Sequence, residues 1–284
     1  MTRPRATRDL LREAAARLRT EPTLRWSMAG WAVLGLGGAV GGAVAAGAMA
    51  GPHGLRAVGS LGPLVGLAWW GLVSLGLAAG TPLLVEVPAG RRLDRIGVPN
   101  GLTALRAYGC APVVLLALLP DRTLGRELFL AVASPVALLD AADGYIARRA
   151  QLVTILGRAL DPVMDSLFFA VCGVASLVLG FIPLWFAVLV LGRYGLPGIA
   201  FALVYPRLRR RPTMVATSFG KAGTLLISFA LLGSALLVLA GGPALPFQIG
   251  VAIPIAVAAV GHLAVLVRRT RLAASDPGEV AAGA

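Results

Sequence analysis

Four aspartates, Asp140, Asp143, Asp161 and Asp165, fall within 26 residues of a 284-residue chain that has only thirteen acidic side chains. The stretch that holds them, "LLDAADGYIARRAQLVTILGRALDPVMDS", is set in apolar sequence on both sides. Spacings of three (Asp140, Asp143) and four (Asp161, Asp165) bring side chains to one face of a helix. A short connector between two such helices would let all four carboxylates converge. In an apolar setting they repel one another and resist ionisation, unless divalent cations offset the charge. Hard oxygen ligands suit magnesium, calcium or manganese, and magnesium usually completes its shell with substrate phosphates. Gly144 and Gly157 leave room for a backbone or a ligand to approach, and Arg148 offers a phosphate clamp. The plainer account makes Asp161 and Asp165 partners of a helix N-terminus and Arg148 and Arg149 ordinary flanking charge. It suits Asp161, but not Asp140, Asp143 and Asp165, which lie deeper in apolar sequence where ionisable residues mark function.

The elements that must position these residues are membrane helices. The chain is 57% hydrophobic and 14% charged, outside the range of an ordinary soluble domain, and its apolar runs approach the ~20 residues of a spanning helix. Hydropathy predicts eight spans, at about 27–50, 61–85, 98–119, 127–146, 159–180, 182–205, 217–240 and 245–267. Abundant Gly and Ala suit close helix contacts in lipid. The net charge of +13 comes from short arginine clusters between apolar runs, with no basic stripe interleaved with aromatics, so a nucleic-acid partner is not expected.

Those clusters orient the chain. Twenty arginines, among them Arg3 to Arg25, Arg91, Arg92, Arg95, Arg148, Arg149, Arg158, the Arg207–Arg211 group and Arg268 to Arg271, fall on one set of connectors, against Arg56, Arg122 and Arg126 on the other. By the positive-inside rule both termini and the aspartate stretch are cytoplasmic. The first span is read as a helix and not a signal peptide, because its basic leader and its apolar run are too long. Residues 1–25 are expected to form a basic, amphipathic helix on the membrane surface up to Pro22, and "AGRRLDRIG" at 89–97 to be a second such element. Cys110 and Cys172 read as buried small hydrophobes, and His53 and His262 carry no assigned chemistry.

Asp140-x-x-Asp143-Gly144-x-x-Ala147-Arg148, eight residues, then Gly157-x-x-x-Asp161-x-x-x-Asp165 resembles the signature of the CDP-alcohol phosphotransferase (phosphatidyltransferase) family at eight positions over 26 residues. The resemblance implies an all-α integral membrane fold: a six-helix catalytic core, here 91–271, with the signature on its second and third helices. Outside it lie the basic segment 1–25, an extra pair of transmembrane helices at 26–90 and a flexible tail at 272–284. It implies that Asp140, Asp143, Asp161 and Asp165 bind two divalent cations, magnesium or manganese, and that Asp165 is also the general base. Gly144, Arg148 and Gly157, with Thr154, would hold the CDP moiety. "VPNGLTALR" resembles the start of the family's first core helix and adds Asn100 and Thr103 as nucleotide contacts. The implied partners are CDP-diacylglycerol, a hydroxylated acceptor, the bilayer and a second copy of the chain.

The acceptor is less legible. Arg106, Arg193 and Lys221, the single lysine of the chain, lie in or at the ends of spans, where a cation calls for an anionic partner, and together they point to a pocket for a phosphate on the acceptor. Lys221 is equally compatible with snorkelling to the interface, and Arg207–Arg211 with positive-inside charge. "GKAGT" resembles the phosphatidylglycerophosphate synthase and cardiolipin synthase branches, but Gly223 replaces a frequent second lysine and Tyr194 a usual acidic residue. The expected order of acceptors is glycerol 3-phosphate, phosphatidylglycerol, inositol phosphate. A cation transporter with an acidic site is the competing class; it would place carboxylates near the bilayer midplane on broken helices, whereas these lie toward one end beside arginines.

Overall fold

The computed structural model describes residues 7–49, 61–87, 89–150, 153–204 and 218–275. Arg3, Arg5, His53, Arg56 and the Arg207–Arg211 group lie outside the described residues. The chain divides into two compact units, Met1–Ala175 and Ser176–Ala284.

The first unit begins with α1 (Thr7–Thr20), the amphipathic helix expected at the N-terminus. α2 (Pro22–Leu36) starts on a proline, whose missing N–H costs nothing at a first turn. A π-helical turn, Gly37–Gly41, joins it to α3 (Gly42–Met49) in one continuous rod, and α4 (Gly62–Ala79) follows. α5 (Val98–Ala117) is buried along nearly its whole length, and α2, α3, α4 and α6 (Arg122–Ala150) pack around it. α7 (Ile155–Val178) then runs to the end of the unit.

Small residues and indoles make that packing possible. Gly35 of α2 meets the ring of Tyr108, and a Cβ at this position would overlap the ring edge. The Tyr108 hydroxyl lies 2.9 Å from the Ser74 hydroxyl, Trp69 Nε1 donates to Ala107 O (2.7 Å), and Trp70 Nε1 donates to Ala32 O (2.7 Å). Such cross-helix bonds hold helices together where lipid supplies no hydrophobic drive. Leu24, Leu77, Leu84, Ile96, Tyr108 and Leu156 form one buried cluster, so the helices before residue 90 share a core with α5 and the start of α7.

The second unit holds α8 (Leu184–Val204), α9 (Ser218–Leu239) and α10 (Ala244–Ser275). α10 packs on both of the others, with Phe229 and Phe247 edge to face at 5.5 Å. Gln248 Nε2 donates to Phe181 O at 2.9 Å, which gives a buried amide its partner. Leu225, Phe229, Ile253 and Val260 stand exposed on the outer faces, as lipid-facing residues do.

Among the described residues a helix lies in each of the eight expected spans, the second ending at Ala79, short of the expected 85, and the protein is an all-α, multi-pass membrane protein. Among the described residues five stretches are long and apolar enough to cross by themselves: Pro22–Met49, Gly62–Ala79, Ile155–Val178, Ser218–Leu239 and Ala244–Arg268. α5 carries Asn100 and Arg106 inside the unit, and α6 carries charge at both ends, which lowers their hydropathy. α6 begins five residues before the expected boundary, because Asp121 Oδ1 accepts the N–H groups of Thr123 (2.9 Å) and Leu124 (3.1 Å) and caps it.

The 89–97 element differs from expectation. It is not a surface helix. Residues 84–87 and 91–93 pair as a short hairpin, with Leu93 N to Leu84 O and Glu86 N to Arg91 O both at 2.9 Å. Residues 94–97 then lead into α5, whose N-cap Gly97 is extended and whose first turn holds Pro99.

Candidate active site

Two helix starts, α5 and α7, build the described part of the site. Thr154 caps α7: Gly157 N donates to Thr154 Oγ1 at 3.0 Å, the N-cap bond to the third helical residue. The same hydroxyl donates to Asn100 Oδ1 at 3.1 Å. Asn100 and Thr154 are both buried, so this bond satisfies groups that water does not reach. Gly157 completes the corner, since a Cβ there would come 2.9 Å from Asn100 Oδ1. Asn100, Thr154 and Gly157 are thus brought together at one corner.

One and two turns further along, side chains pair across the two helices. Thr103 Oγ1 lies 3.4 Å from Asp161 Oδ1 and 3.1 Å from Pro99 O. Arg106 Nη2 lies 2.9 Å from Asp165 Oδ1; the arginine is 1% exposed and the carboxylate 29%. A buried guanidinium requires such a partner. Asp161 is more open than Asp165. The carboxylates therefore line up along one face of α7, with a neutral hydroxyl at one and a cation at the other.

Asp140, Asp143, Gly144 and Arg148 lie on the last third of α6, which is helical through Ala150. Asp140 and Asp143 therefore share a helix face. Their side chains and that of Arg148 lie outside the described residues. Of the eight residues between Arg148 and Gly157, the first two end α6 at Ala150 and the last two begin α7 at Ile155. Among the described residues no group of three His, Cys, Asp or Glu could hold a metal. Asp161 and Asp165 suit half of a hard-cation site by donor type, one-turn spacing and access.

Arg106 belongs to the first unit, where it pairs with Asp165. Arg193 and Lys221 lie in the second. Arg193 is 7% exposed, and its Nη2 donates to Gly220 O at 3.2 Å. Its Nε would lie 3.0 Å from a Cβ at Gly223, so the missing side chain at 223 is what lets the guanidinium rest on α9. Lys221, between those glycines, is exposed. Tyr194 Oη donates to Thr224 Oγ1 at 3.4 Å.

Two further features support this corner. Glu86 forms an antiparallel bridge with Thr154: Val87 N donates to Val153 O and Ile155 N to Val85 O, both at 2.9 Å. Arg17 of α1 is buried against the hairpin. The available signals were Glu86 as the first acid after two uncharged spans and the Arg17–Glu21 spacing of four.

Comparison with known proteins identifies the family. A profile of the CDP-alcohol phosphatidyltransferase family matches residues 96–268, which is more than half of the chain. CDP-diacylglycerol–glycerol-3-phosphate 3-phosphatidyltransferases of Rickettsia felis and Rickettsia prowazekii are 38% and 37% identical over 76 residues, 27% of this chain. That of Rickettsia bellii is 39% identical over 70 residues, 25% of this chain. The chain spans only about two fifths of the length of these relatives, 41% for the first two and 38% for the third. No solved structure matches.

Proposed function

The chain belongs to the CDP-alcohol phosphatidyltransferase family, and we propose that it transfers a phosphatidyl group from CDP-diacylglycerol to glycerol 3-phosphate with release of CMP. The observation that carries this reading is the alignment of Asp161 and Asp165 opposite Thr103 and Arg106, beside the Asn100–Thr154–Gly157 corner. The printed names of the Rickettsia relatives support glycerol 3-phosphate as the acceptor.

The CDP moiety lies against Asn100, Thr103, Thr154 and Gly157, with Gly144 and Arg148 of α6. Asp140, Asp143, Asp161 and Asp165 would hold two magnesium or manganese ions. When bound, these would neutralise charge on the pyrophosphate and on the departing CMP. Asp165 takes the proton from the acceptor hydroxyl. That oxygen forms a bond to the phosphorus next to the diacylglycerol, and the bond from this phosphorus to the CMP oxygen breaks. Arg106 fixes the Asp165 carboxylate in place through its ion pair, so positioning costs nothing at the moment of reaction. Arg193 and Lys221 bind the phosphate of the acceptor, for which a buried arginine on α8 is suited. Sited at the cytoplasmic face, with both termini on that side, the reaction leaves the acyl chains in the bilayer while the acceptor arrives from water. The working form is a homodimer.

The test is CMP release by the purified protein in lipid nanodiscs, with glycerol 3-phosphate, phosphatidylglycerol and inositol phosphate supplied separately. Turnover is expected with glycerol 3-phosphate alone, lost to a chelator and restored by magnesium. Asp165→Asn lowers it by about 10²–10⁴-fold, the range of a general base. Turnover that survives chelation refutes the cation role, and turnover only with another acceptor refutes the assignment of substrate.

A further inference from the structure

The N-terminal helix carries an arginine that its surroundings should not tolerate. α1 is an amphipathic helix with exposed Arg8, Arg12 and Arg19, yet Arg17 is only 5% exposed. A buried guanidinium is costly unless its donors are matched, and here they are. Nε and Nη2 donate to the two carboxylate oxygens of Glu21, each at 2.8 Å. Nη1 donates to Thr81 O, and Nη2 also to Leu93 O at 2.7 Å. Thr81 precedes the hairpin and Leu93 ends it. A single side chain therefore ties together both ends of one loop. Glu13, also on α1, pairs with Arg92 at 2.9 Å.

The opposite edge of that hairpin pairs with residues 153–155, on either side of Thr154. Backbone bonds at 2.9 Å from Val87 N to Val153 O and from Ile155 N to Val85 O fix the peptide groups that flank it. Thr154 in turn sets Asn100 through its hydroxyl. A continuous set of bonds thus runs from Arg17 through the hairpin to the corner where α5 and α7 begin.

We infer that Arg17 is a positioning residue for the nucleotide end of the site: by clamping the 84–93 hairpin it holds Thr154 and Asn100 in register. The inference rests on the proposed role of that corner in binding CDP-diacylglycerol. It gives the first 97 residues a task in the reaction, beyond anchoring the chain in the membrane. Lysine at 17 could keep the charge pair with Glu21 but could not span both carbonyls in a fixed fork.

The experiment uses the full chain in nanodiscs and reads two quantities: the affinity for CDP-diacylglycerol, and hydrogen exchange of the amides of 85–87 and 153–157. Thr154→Val should weaken CDP-diacylglycerol binding by about three- to tenfold, the worth of one hydrogen bond. Arg17→Gln should weaken it to a similar extent and speed exchange at 153–157. The double variant should be no weaker than the worse single one, because both act through the same corner. Arg17→Lys should fall between wild type and Arg17→Gln, and it serves as the working variant if Arg17→Gln does not fold. Exposed Arg19→Gln, which makes the same change in charge, should have no effect. If Thr154→Val leaves binding intact, the reading of the corner as the nucleotide site is wrong. If Thr154→Val weakens binding and the Arg17 variants change neither binding nor exchange at 153–157, the corner stands and the clamp is overturned. Additive effects in the double variant overturn it as well.

Discussion

Gly157→Ala separates a site built for binding from one built for stability. In a helix interior, Gly to Ala gains up to about 1 kcal/mol, and less in the first turn, where residue 157 lies. Here the new methyl would come 2.9 Å from Asn100 Oδ1 and 3.4 Å from Thr154 Oγ1. To reach ordinary contact the Asn100 oxygen must retreat by about half an ångström. A shift of that size is enough to take its 3.1 Å bond from Thr154 out of hydrogen-bond range. The lost bond costs about 1 kcal/mol, and a buried amide oxygen left without a donor about 1–3 kcal/mol. Net stability should therefore fall by about 1–4 kcal/mol, while the Michaelis constant for CDP-diacylglycerol rises about tenfold or more, with that for the acceptor little changed. Thermal unfolding and initial rates of CMP release measure the two. Asn100→Ala removes the obstructing oxygen, so it should cost less in the Gly157→Ala background than in the wild type. A folded Gly157→Ala protein with a higher melting temperature and unchanged kinetics would refute this account of the corner.

Gly35→Val should lower stability by about 1–3 kcal/mol, the usual cost of overpacking, because its Cβ overlaps the buried Tyr108 ring; a melting temperature equal to that of wild type would contradict the helix seam. Arg193→Ala should raise the Michaelis constant of the acceptor more than that of the CDP-lipid, and equal effects on both would remove Arg193 from the acceptor site. The Arg17 hydrogen bond holds the Glu21 carboxyl below its ordinary value of 4.5, although partial burial works against this. A depressed carboxyl stabilises the folded state above pH 4.5 and loses that contribution as the pH falls through its folded value. Stability measured from pH 6 to pH 3 should therefore fall more steeply in wild type than in Glu21→Gln, with the wild-type advantage at pH 6 shrinking toward zero at the acid end, and parallel profiles would show that the pair contributes nothing.

The family of this protein was legible from residue types and spacing. Periods of three and four between carboxylates, in apolar sequence flanked by arginines, are short-range properties that a helix turns directly into a shared face. The eight helices were legible for a similar reason: the length of an apolar run is a local quantity, and lipid leaves the backbone few alternatives to helix. Boundaries shifted where a single cap intervened, as Asp121 does for α6.

Tertiary structure decided which residues meet across the chain. Nothing in the spacing of Arg106 distinguishes a partner for Asp165 from a ligand for a distant phosphate; only the packing of α5 beside α7 places it there. Charge pattern alone made 89–97 a surface helix, because the pattern does not record that Leu84 and Arg17 claim its backbone. Likewise the first 90 residues read as an addition to the core, since their apolar runs contain no reactive group. Folded, they share a buried cluster with α5 and α7, and they supply the hairpin that pairs with the residues flanking Thr154. Contacts 60 to 80 residues apart in sequence, such as Arg17 to Thr81 and Leu93, leave no periodic trace, so they emerge only when the helices are assembled.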